Sequence, residues 1–562
     1  MAPTQTNTVR NLQRWWEVQS IFLRYGFDVL VDKANVARAR RAARAARDGH
    51  AAVPDLERLS TPVRIRLMLE ELGPTFVKLG QIASSQSHSI PADWLTELEK
   101  LQSSVPPVPE EQVRATIVQE LGSDPEYLFR DFDFTPLAAA SIGQVHAAVS
   151  NDYRQVVVKV QRPGIVPQIE SDLAIMREVA RTLEAASKVA RNYAAVDIVD
   201  EFAASITREL DYRNEARNLD RLREVLAPIR GVRTPEVCWD RSTSKVLTME
   251  RIEGVGLTQL SLVDPQVDRM KLADTFVRAM VKQILIDGFF HADVHPGNVF
   301  GLPGKGEIVF LDVGMTGSLD ARQRGQLVDL MRGLAQRDAR RLTYVALDLG
   351  ETFKPVDEAA LERGINGLMR RHLSGSLVDF SYARFLSELL SLLFDNGVRT
   401  PSDLLFALKA LMQTEQIVRT LNPDFNISEL ANTAGSMVLA HQMRPSALRG
   451  HVTSWLDQIV RVAPMLGDAV ELYVRDARGD KRVTRLDPGD IQYIGRMVTA
   501  TANRFMLAVL LVGMMLSSVL VMALPANRSL PFLPVLGALG FGVSVLLGIL
   551  MVLHLMWALW RT

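Results

Sequence analysis

The stretch HADVHPGNVF, residues 291–300, places two histidines, an aspartate, a proline, a glycine and an asparagine ahead of an apolar pair. His291 and His295 have the i, i+4 spacing that lets one helix face aim two imidazoles at zinc. Two neighbours argue against a zinc helix: Ala292 stands where a metalloprotease carries its glutamate base, and Pro296 would break the helix. Phosphoryl transfer accounts for more of the residues. It uses an aspartate, four intervening residues and an asparagine, with a second aspartate beyond a β-hairpin. Asp293, Asn298 and the Asp312 of IVFLDVGM occupy those places. A nucleotide's phosphates carry dense negative charge that a divalent cation must neutralise, and Mg2+ prefers oxygen ligands. Asn298 and Asp312 offer such oxygens, Asp293 would accept a hydroxyl proton or orient water, and Pro296-Gly297 turns the chain to deliver Asn298.

A site of this kind needs a lysine from a central strand, held by a glutamate, to grip phosphates. Lys159 lies in the β-branched run QVVVKVQ, 155–161. A buried ammonium without an acid partner costs on the order of several kcal/mol, so a partner is expected; the plain alternative is an edge-strand lysine reaching solvent. The acid-rich helical segment TRELDYRNEARNLD, 207–220, supplies candidates. Glu209 has the spacing to pair with Arg213 on an ordinary exposed face. Asp211 and Glu215 are like charges at i, i+4 and call for a cation between them, either Lys159 or a metal.

Outward from these motifs, 61–104 reads as helical up to the breaker VPPVP, 129–162 as short strands, and 165–226 as long helices. VRTPEVCWD and KVLTMERIEG read as two more strands, DTFVRAMVKQILIDGFF as a buried helix entering the opening motif, and 320–500 as helical throughout. The class is therefore α+β and helix-rich.

At 562 residues, 48% hydrophobic and 23% charged, the chain can bury a large core in two or three domains. Its formal net charge of zero provides no global field for nucleic acid, which is not expected as a partner. A local basic run, ARARRAARAAR at 37–47 behind the aromatic segment RWWEVQSIFLRYGF, suits a helix lying on anionic lipid, or equally a solvated Ala/Arg face. Cys238 is the only cysteine, which excludes an intramolecular disulfide and fits a cytoplasmic domain. The beginning, MAPTQTNTVRNLQRWW, lacks the apolar core of a signal peptide. Near the other end, 505–524 and 532–560 are long uncharged apolar runs joined by PANRSLP. Each is long enough to cross ~30 Å of hydrocarbon, so a two-helix transmembrane hairpin is expected. Arg475, Arg478, Lys481, Arg482, Arg485, Arg496 and Arg504 before it place the soluble region on the cytoplasmic side of the cell membrane.

The motifs together resemble the UbiB family, the AarF-domain, atypical protein-kinase-like proteins. The resemblance is carried by KLGQ at 78–81, AAASIGQVHAA at 138–148, VVVKVQRPG around Lys159, ELD at 209–211 followed by Glu215, and HADVHPGN with LDVG. They occur in family order across about residues 60–320. The resemblance implies a bilobal protein-kinase-like fold divided into a basic N-terminal segment (1–60), a helical extension with KLGQ (61–115), an N-lobe with inserted helices (116–255), a helical C-lobe (256–490) and a membrane anchor (491–562). It implies ATP and Mg2+ as cofactors, with Asp293, Lys159 and Glu215 as the catalytic set and Asn298 and Asp312 on the metal. An alanine-rich loop, Ala138, Ala139, Ala140, Ser141 and Gly143, takes the place of a glycine-rich phosphate loop, and methyl groups restrict its backbone. Adenine would bond to backbone near Glu250 to Ile252. Lys78 and Gln81 would cover the site, Lys78 meeting Glu209 and Asp211, and keep protein substrates out. Implied partners are membrane lipid and proteins or prenylated intermediates of isoprenoid-quinone biosynthesis, and a homodimer is compatible with the family.

One departure is Val313, where kinases and most family members carry the phenylalanine of Asp-Phe-Gly; the aspartate and glycine are kept. The leading reading is a membrane-anchored atypical kinase or ATPase that supports ubiquinone biosynthesis or lipid handling. Its alternatives are a nucleotide-gated scaffold and a small-molecule kinase of the aminoglycoside or choline kinase kind.

Overall fold

The structure is a computed structural model that describes residues 4–27, 59–85, 92–98, 100–101, 106–186, 191, 194–373, 381–425, 433–438, 511, 513–515, 517–518 and 537–550. The chain falls into two compact units, 1–451 and 452–562, each considered by itself. In the first, helices α1 (Thr4–Arg24), α2 (Thr61–Leu72), α3 (Pro74–Ser85), α4 (Ala92–Leu98) and α5 (Glu110–Leu121) precede strands β1 (Phe129–Ala139), β2 (Gly143–Ser150) and β3 (Gln155–Gln161). Then come α6 (Ile165–Ala186), α7 (Ala195–Glu209) and α8 (Tyr212–Leu226), followed by β4 (Val232–Arg233), β5 (Val246–Glu250) and β6 (Val255–Gly256).

The upper sheet runs β1-β2-β3-β5, antiparallel throughout, so β3 is central. Its period of two decides what each face meets. Val156, Val158 and Val160 pack under α5 with Val113, Ile117 and Phe129. The alternate residues, Lys159 among them, face the other way, toward α8, where Tyr212 and Ala216 pack on Leu247 of β5. A lysine on this face cannot reach solvent along the sheet as an edge lysine would, because Lys159 is paired in register with Val145 on one side and Leu247 on the other.

Helix α8 is amphipathic, burying Tyr212, Glu215, Ala216, Leu219, Leu222 and Leu226 along one stripe. Asp211 is its N-cap and accepts from the Arg213 N–H. The helical extension α1–α3 packs with α6 and α7 in a separate apolar cluster that includes Phe22, Leu72, Phe76, Ile169 and Phe202.

In the lower lobe, α9 (Arg269–Val281) continues into a π-helical turn, Lys282–Asp287. Gly288 stops it at φ +69°, and a Cβ there would lie 2.4 Å from the Leu319 carbonyl oxygen. Strand β7 (Phe289–His291) pairs with β10 (Thr316–Ser318), and β8 (Val299–Leu302) with β9 (Glu307–Phe310) makes the expected hairpin within a β4-β9-β8-β6 sheet. Helices α10 (Ala321–Gln336), α11 (Ala339–Leu349), α12 (Glu358–Leu373), α13 (Tyr382–Asp395) and α14 (Ser402–Leu421) complete the core around Phe276, Phe290, Phe310, Phe385 and Leu411.

Two expectations need adjustment. The first of the two late strands shrinks to Val232–Arg233, and a short antiparallel pair, Glu351–Thr352 with Val398–Arg399, interrupts the expected all-helical region. The basic run 37–47, most of both apolar runs and the arginines from 475 to 504 lie outside the described residues. Within the second run, 537–550 is helical, and no helix among the described residues is long and apolar enough to cross a membrane.

Gly143 opens β2 where the sheet meets α8: a Cβ would stand 2.2 Å from the Tyr212 hydroxyl and 2.6 Å from the Val160 carbonyl oxygen. Gly143→Ala should therefore destabilise the upper lobe by about 1–3 kcal/mol through overpacking, read as a lowered Tm.

Candidate functional site

The ammonium of Lys159 lies 2.8 Å from Glu215 Oε2 and 3.8 Å from Asp312 Oδ2. It also sits 5.1 Å from the Tyr212 ring centre. Burial alone would lower the Lys159 pKa, but Asp312 and Glu215 outweigh it and hold the amine well above its ordinary value. Burial pushes the Glu215 carboxyl up, to about 7, against the pull of Lys159. Lys159 in turn holds Asp312, whose side chain is 56% exposed, below the usual carboxylate range. The strand from above and the second residue after β9 from below thus meet at one cation.

The catalytic-loop motif leaves β7 and makes two tight turns, Asp293 O accepting from His295 N and His295 O from Asn298 N, both at 2.9 Å. Asn298 Nδ2 donates to the Asp293 carbonyl at 3.1 Å, which leaves the Asn298 side-chain oxygen available to a cation. Beside it, Leu311 N donates to Asn298 O at 2.8 Å, so Asn298 and Asp312 are tied together by backbone. Gly314 N supports Asp312 Oδ1 at 3.2 Å. Val313 is fully buried, and its carbonyl accepts from Asn218 of α8 at 3.1 Å. The rings below the loop belong instead to Phe310, stacked on Phe276 and tilted against His291.

His291 is fully buried and uses Nδ1 to accept the Asp293 N–H at 3.1 Å. Burial lowers its pKa to about 4, so the imidazole is neutral at physiological pH and braces the loop.

Asp293, Asn298, Asp312, Lys78, Gln81 and Glu209 all border one cavity of about 1200 Å3. Lys78 Nζ bonds Glu209 Oε1 at 2.8 Å, and Gln81 Nε2 donates to Leu101 O at 3.1 Å. Burial would lower the Lys78 pKa, but Glu209 raises it. Asp211 does not join them. As the N-cap of α8 it is drawn to the free Arg213 N–H and to the Arg213 guanidinium at 2.7 Å, and it is not part of the cavity wall. Glu209 is equally not the partner of Arg213, because the chain breaks helix at 210–211 and the i, i+4 relation is lost.

The structure does not bring the alanine-rich loop or the lobe connection to this cavity. Ala138 and Ala139 end β1, Ala140 N donates to Gly143 O at 2.8 Å, and Arg162 Nε holds the Ala140 carbonyl at 2.9 Å, while Ser141 is buried. Glu250 and Ile252 border a separate cavity of about 800 Å3. The Glu250 N–H is taken by Glu236 O at 2.8 Å and its carboxylate by Arg233.

Sequence reasoning missed the wall that α14 contributes. Lys409 Nζ donates to Asp293 Oδ1 at 2.9 Å, and Gln413 Oε1 accepts from Val294 N at 3.0 Å. Burial would raise the Asp293 pKa, but Lys409 overrides it and keeps the carboxyl below its ordinary value. The available signal was Lys409, Gln413, Gln416 and Thr420 at helical spacing, a polar stripe along the helix.

A two-lobed arrangement in which an Asp-x4-Asn loop and a second aspartate share one cavity, and a glutamate-paired strand lysine lies 3.8 Å from that second aspartate, defines an atypical kinase-like protein. Residues 100–346 match the ABC1 atypical kinase-like domain and 365–426 the UbiB helical domain. A probable protein kinase UbiB of Pseudomonas entomophila is 33% identical over 445 residues, 78% of this chain and 83% of that one. The one of Pseudomonas putida strain W619 is 31% identical over 506 residues, 87% and 94% of the two chains. An uncharacterized protein of Synechocystis sp. is 32% identical over 431 residues, 76% and 72%. The chain belongs to the UbiB family. A solved Mycobacterium tuberculosis protein in complex with erythromycin matches 71% of this chain and 97% of its own at 24% identity and TM-score 0.45.

With a folded-state pKa near 4 against 6.5 for the free side chain, His291 contributes stability that is present above pH 6.5 and lost as pH falls toward 4. The loss amounts to about 3 kcal/mol. Glu215, raised to about 7, acts in the opposite sense as pH rises. The difference in unfolding free energy between wild type and His291→Gln should therefore shrink steadily from pH 6.5 to 4, and a pH-independent difference would contradict the assignment.

Proposed function

We propose that the protein is a membrane-anchored, Mg-ATP-dependent phosphotransferase or ATPase with a small-molecule or lipid-like acceptor in isoprenoid-quinone metabolism. One observation carries the catalytic reading: the lysine of the central upper strand is held by Glu215 and approaches Asp312, which shares a cavity with Asp293 and Asn298. Asn298 and Asp312 fit Mg2+ as a pair of hard oxygen donors, the number kinases use beside substrate phosphates and water. Bound there, the ion would neutralise phosphate charge.

Lys159 offers a fixed ammonium to phosphate oxygens, pre-oriented by Glu215. Asp293 keeps one carboxylate oxygen, Oδ2, for a hydroxyl or water proton, since Oδ1 is engaged by Lys409. Lys78 and Gln81 on α3 wall the cavity, which favours a small acceptor over a folded protein surface. The quinone connection rests on the relatives named UbiB, and the anchor on the two apolar runs at 505–524 and 532–560.

Purified full-length protein in liposomes should hydrolyse or transfer ATP phosphate in a Mg-dependent manner, more rapidly with a prenylated quinone-head analogue. Asp312→Asn should abolish Mg-dependent ATP binding, measured by calorimetry; undiminished binding would refute the metal assignment. Removal of residues 491–562 should release the protein from liposomes in flotation, and retention would refute the anchor.

A further inference from the structure

Two side chains of α14, one turn apart, grip two consecutive residues of the catalytic loop. Lys409 donates to the Asp293 carboxylate at 2.9 Å, and Gln413 accepts the Val294 N–H at 3.0 Å. Both contacts cross more than a hundred residues of sequence and join the two matched segments, 100–346 and 365–426. Lys409 is largely buried at 16% side-chain exposure, and Asp293 is at 30%. The helix is itself fixed: Glu415, 3% exposed, accepts from Tyr382 N and Ala383 N at 3.1 and 2.8 Å and pairs with Arg419 at 3.0 Å, tying α14 to the start of α13.

We propose that Lys409 and Gln413 form a positioning clamp through which the helical domain sets the orientation of Asp293 for proton acceptance. Lys409 occupies Oδ1, so Oδ2 is the oxygen turned to the acceptor; Gln413 fixes the peptide that follows and stops the carboxylate from rotating with its backbone. The other titratable groups around Asp293 do not substitute. His295 stands 3.8 Å from Oδ2, His291 binds the Asp293 N–H, and Lys78 is committed to Glu209. The clamp acts on the geometry of the loop and makes no contact with a bound nucleotide in this account. It rests on the phosphoryl-transfer reading for its effect on rate, but its effect on the loop stands without it.

The experiment uses full-length Lys409→Met, Lys409→Arg and Gln413→Leu in two assays. In ATP turnover, Lys409→Met should lower kcat at least about tenfold with KM for ATP within about twofold, the pattern of an interaction that matters in the transition state. Lys409→Arg should recover most of the loss, and Gln413→Leu should give a smaller fall. In hydrogen exchange without nucleotide, the amides of 292–298 should exchange about tenfold faster in Gln413→Leu and faster also in Lys409→Met, with the α9 amides unchanged. Unchanged exchange at 292–298 in both variants would overturn the clamp, as would unaltered kcat in Lys409→Met. If wild type itself turned over no ATP while the exchange result held, the phosphoryl-transfer reading would fall and the clamp on the loop would stand.

Discussion

The constraint on which the structure depends is an ammonium group with no route to bulk water along its sheet. Lys159 is central in the upper sheet, flanked by paired strands, and its face is covered by α8. Desolvating a charge there costs far more than an isolated surface pair could return, so the chain must bring acids to it. Glu215 comes from the helix packed on that face and Asp312 from the other lobe. The requirement to satisfy one cation therefore fixes the register of α8 against the sheet and the approach of the lower lobe to the upper one.

The lower lobe solves a complementary problem. A loop carrying Asp293 and Asn298 must stay irregular to expose its oxygens, yet hold still. Its rigidity is borrowed from groups that are not themselves exposed: neutral His291 beneath it, Gln283 Oε1 accepting the His291 N–H at 3.0 Å, the β8–β9 hairpin beside it, and α14 across it. Val313, where most family members carry a phenylalanine, is fully buried and its carbonyl is held by Asn218, so the segment carrying the second aspartate is supported by hydrogen bonding from α8.

The parts legible in the sequence are those whose signal is local. A β-branched strand interrupted by one lysine demands an acid, and Glu215 is where the buried stripe of an amphipathic helix would put it; the turn residues around Asn298 are equally readable. Asp211 was misjudged because a like-charge argument at i, i+4 assumes both residues lie within a helix, whereas Asp211 caps it. At Glu250 the backbone N–H is consumed by Glu236, a loop pairing without periodic signal. Lys409 left only a polar stripe, because its meaning is a tertiary contact 116 residues away. The bilobal plan was legible through the family resemblance that the motifs carry, while the short pairings at 232–233 and 351–352 are too brief for any periodicity.

The most direct test of the account is the coupling between Lys159 and Glu215, measured as unfolding free energies of Lys159→Met, Glu215→Gln and the double variant. If the buried pair is what joins sheet to helix, each single change should cost about 3–5 kcal/mol by stranding its partner, and the double should cost clearly less than their sum. Strictly additive losses would mean that the two groups do not meet in the folded protein, and the convergence at Asp312 would lose its foundation.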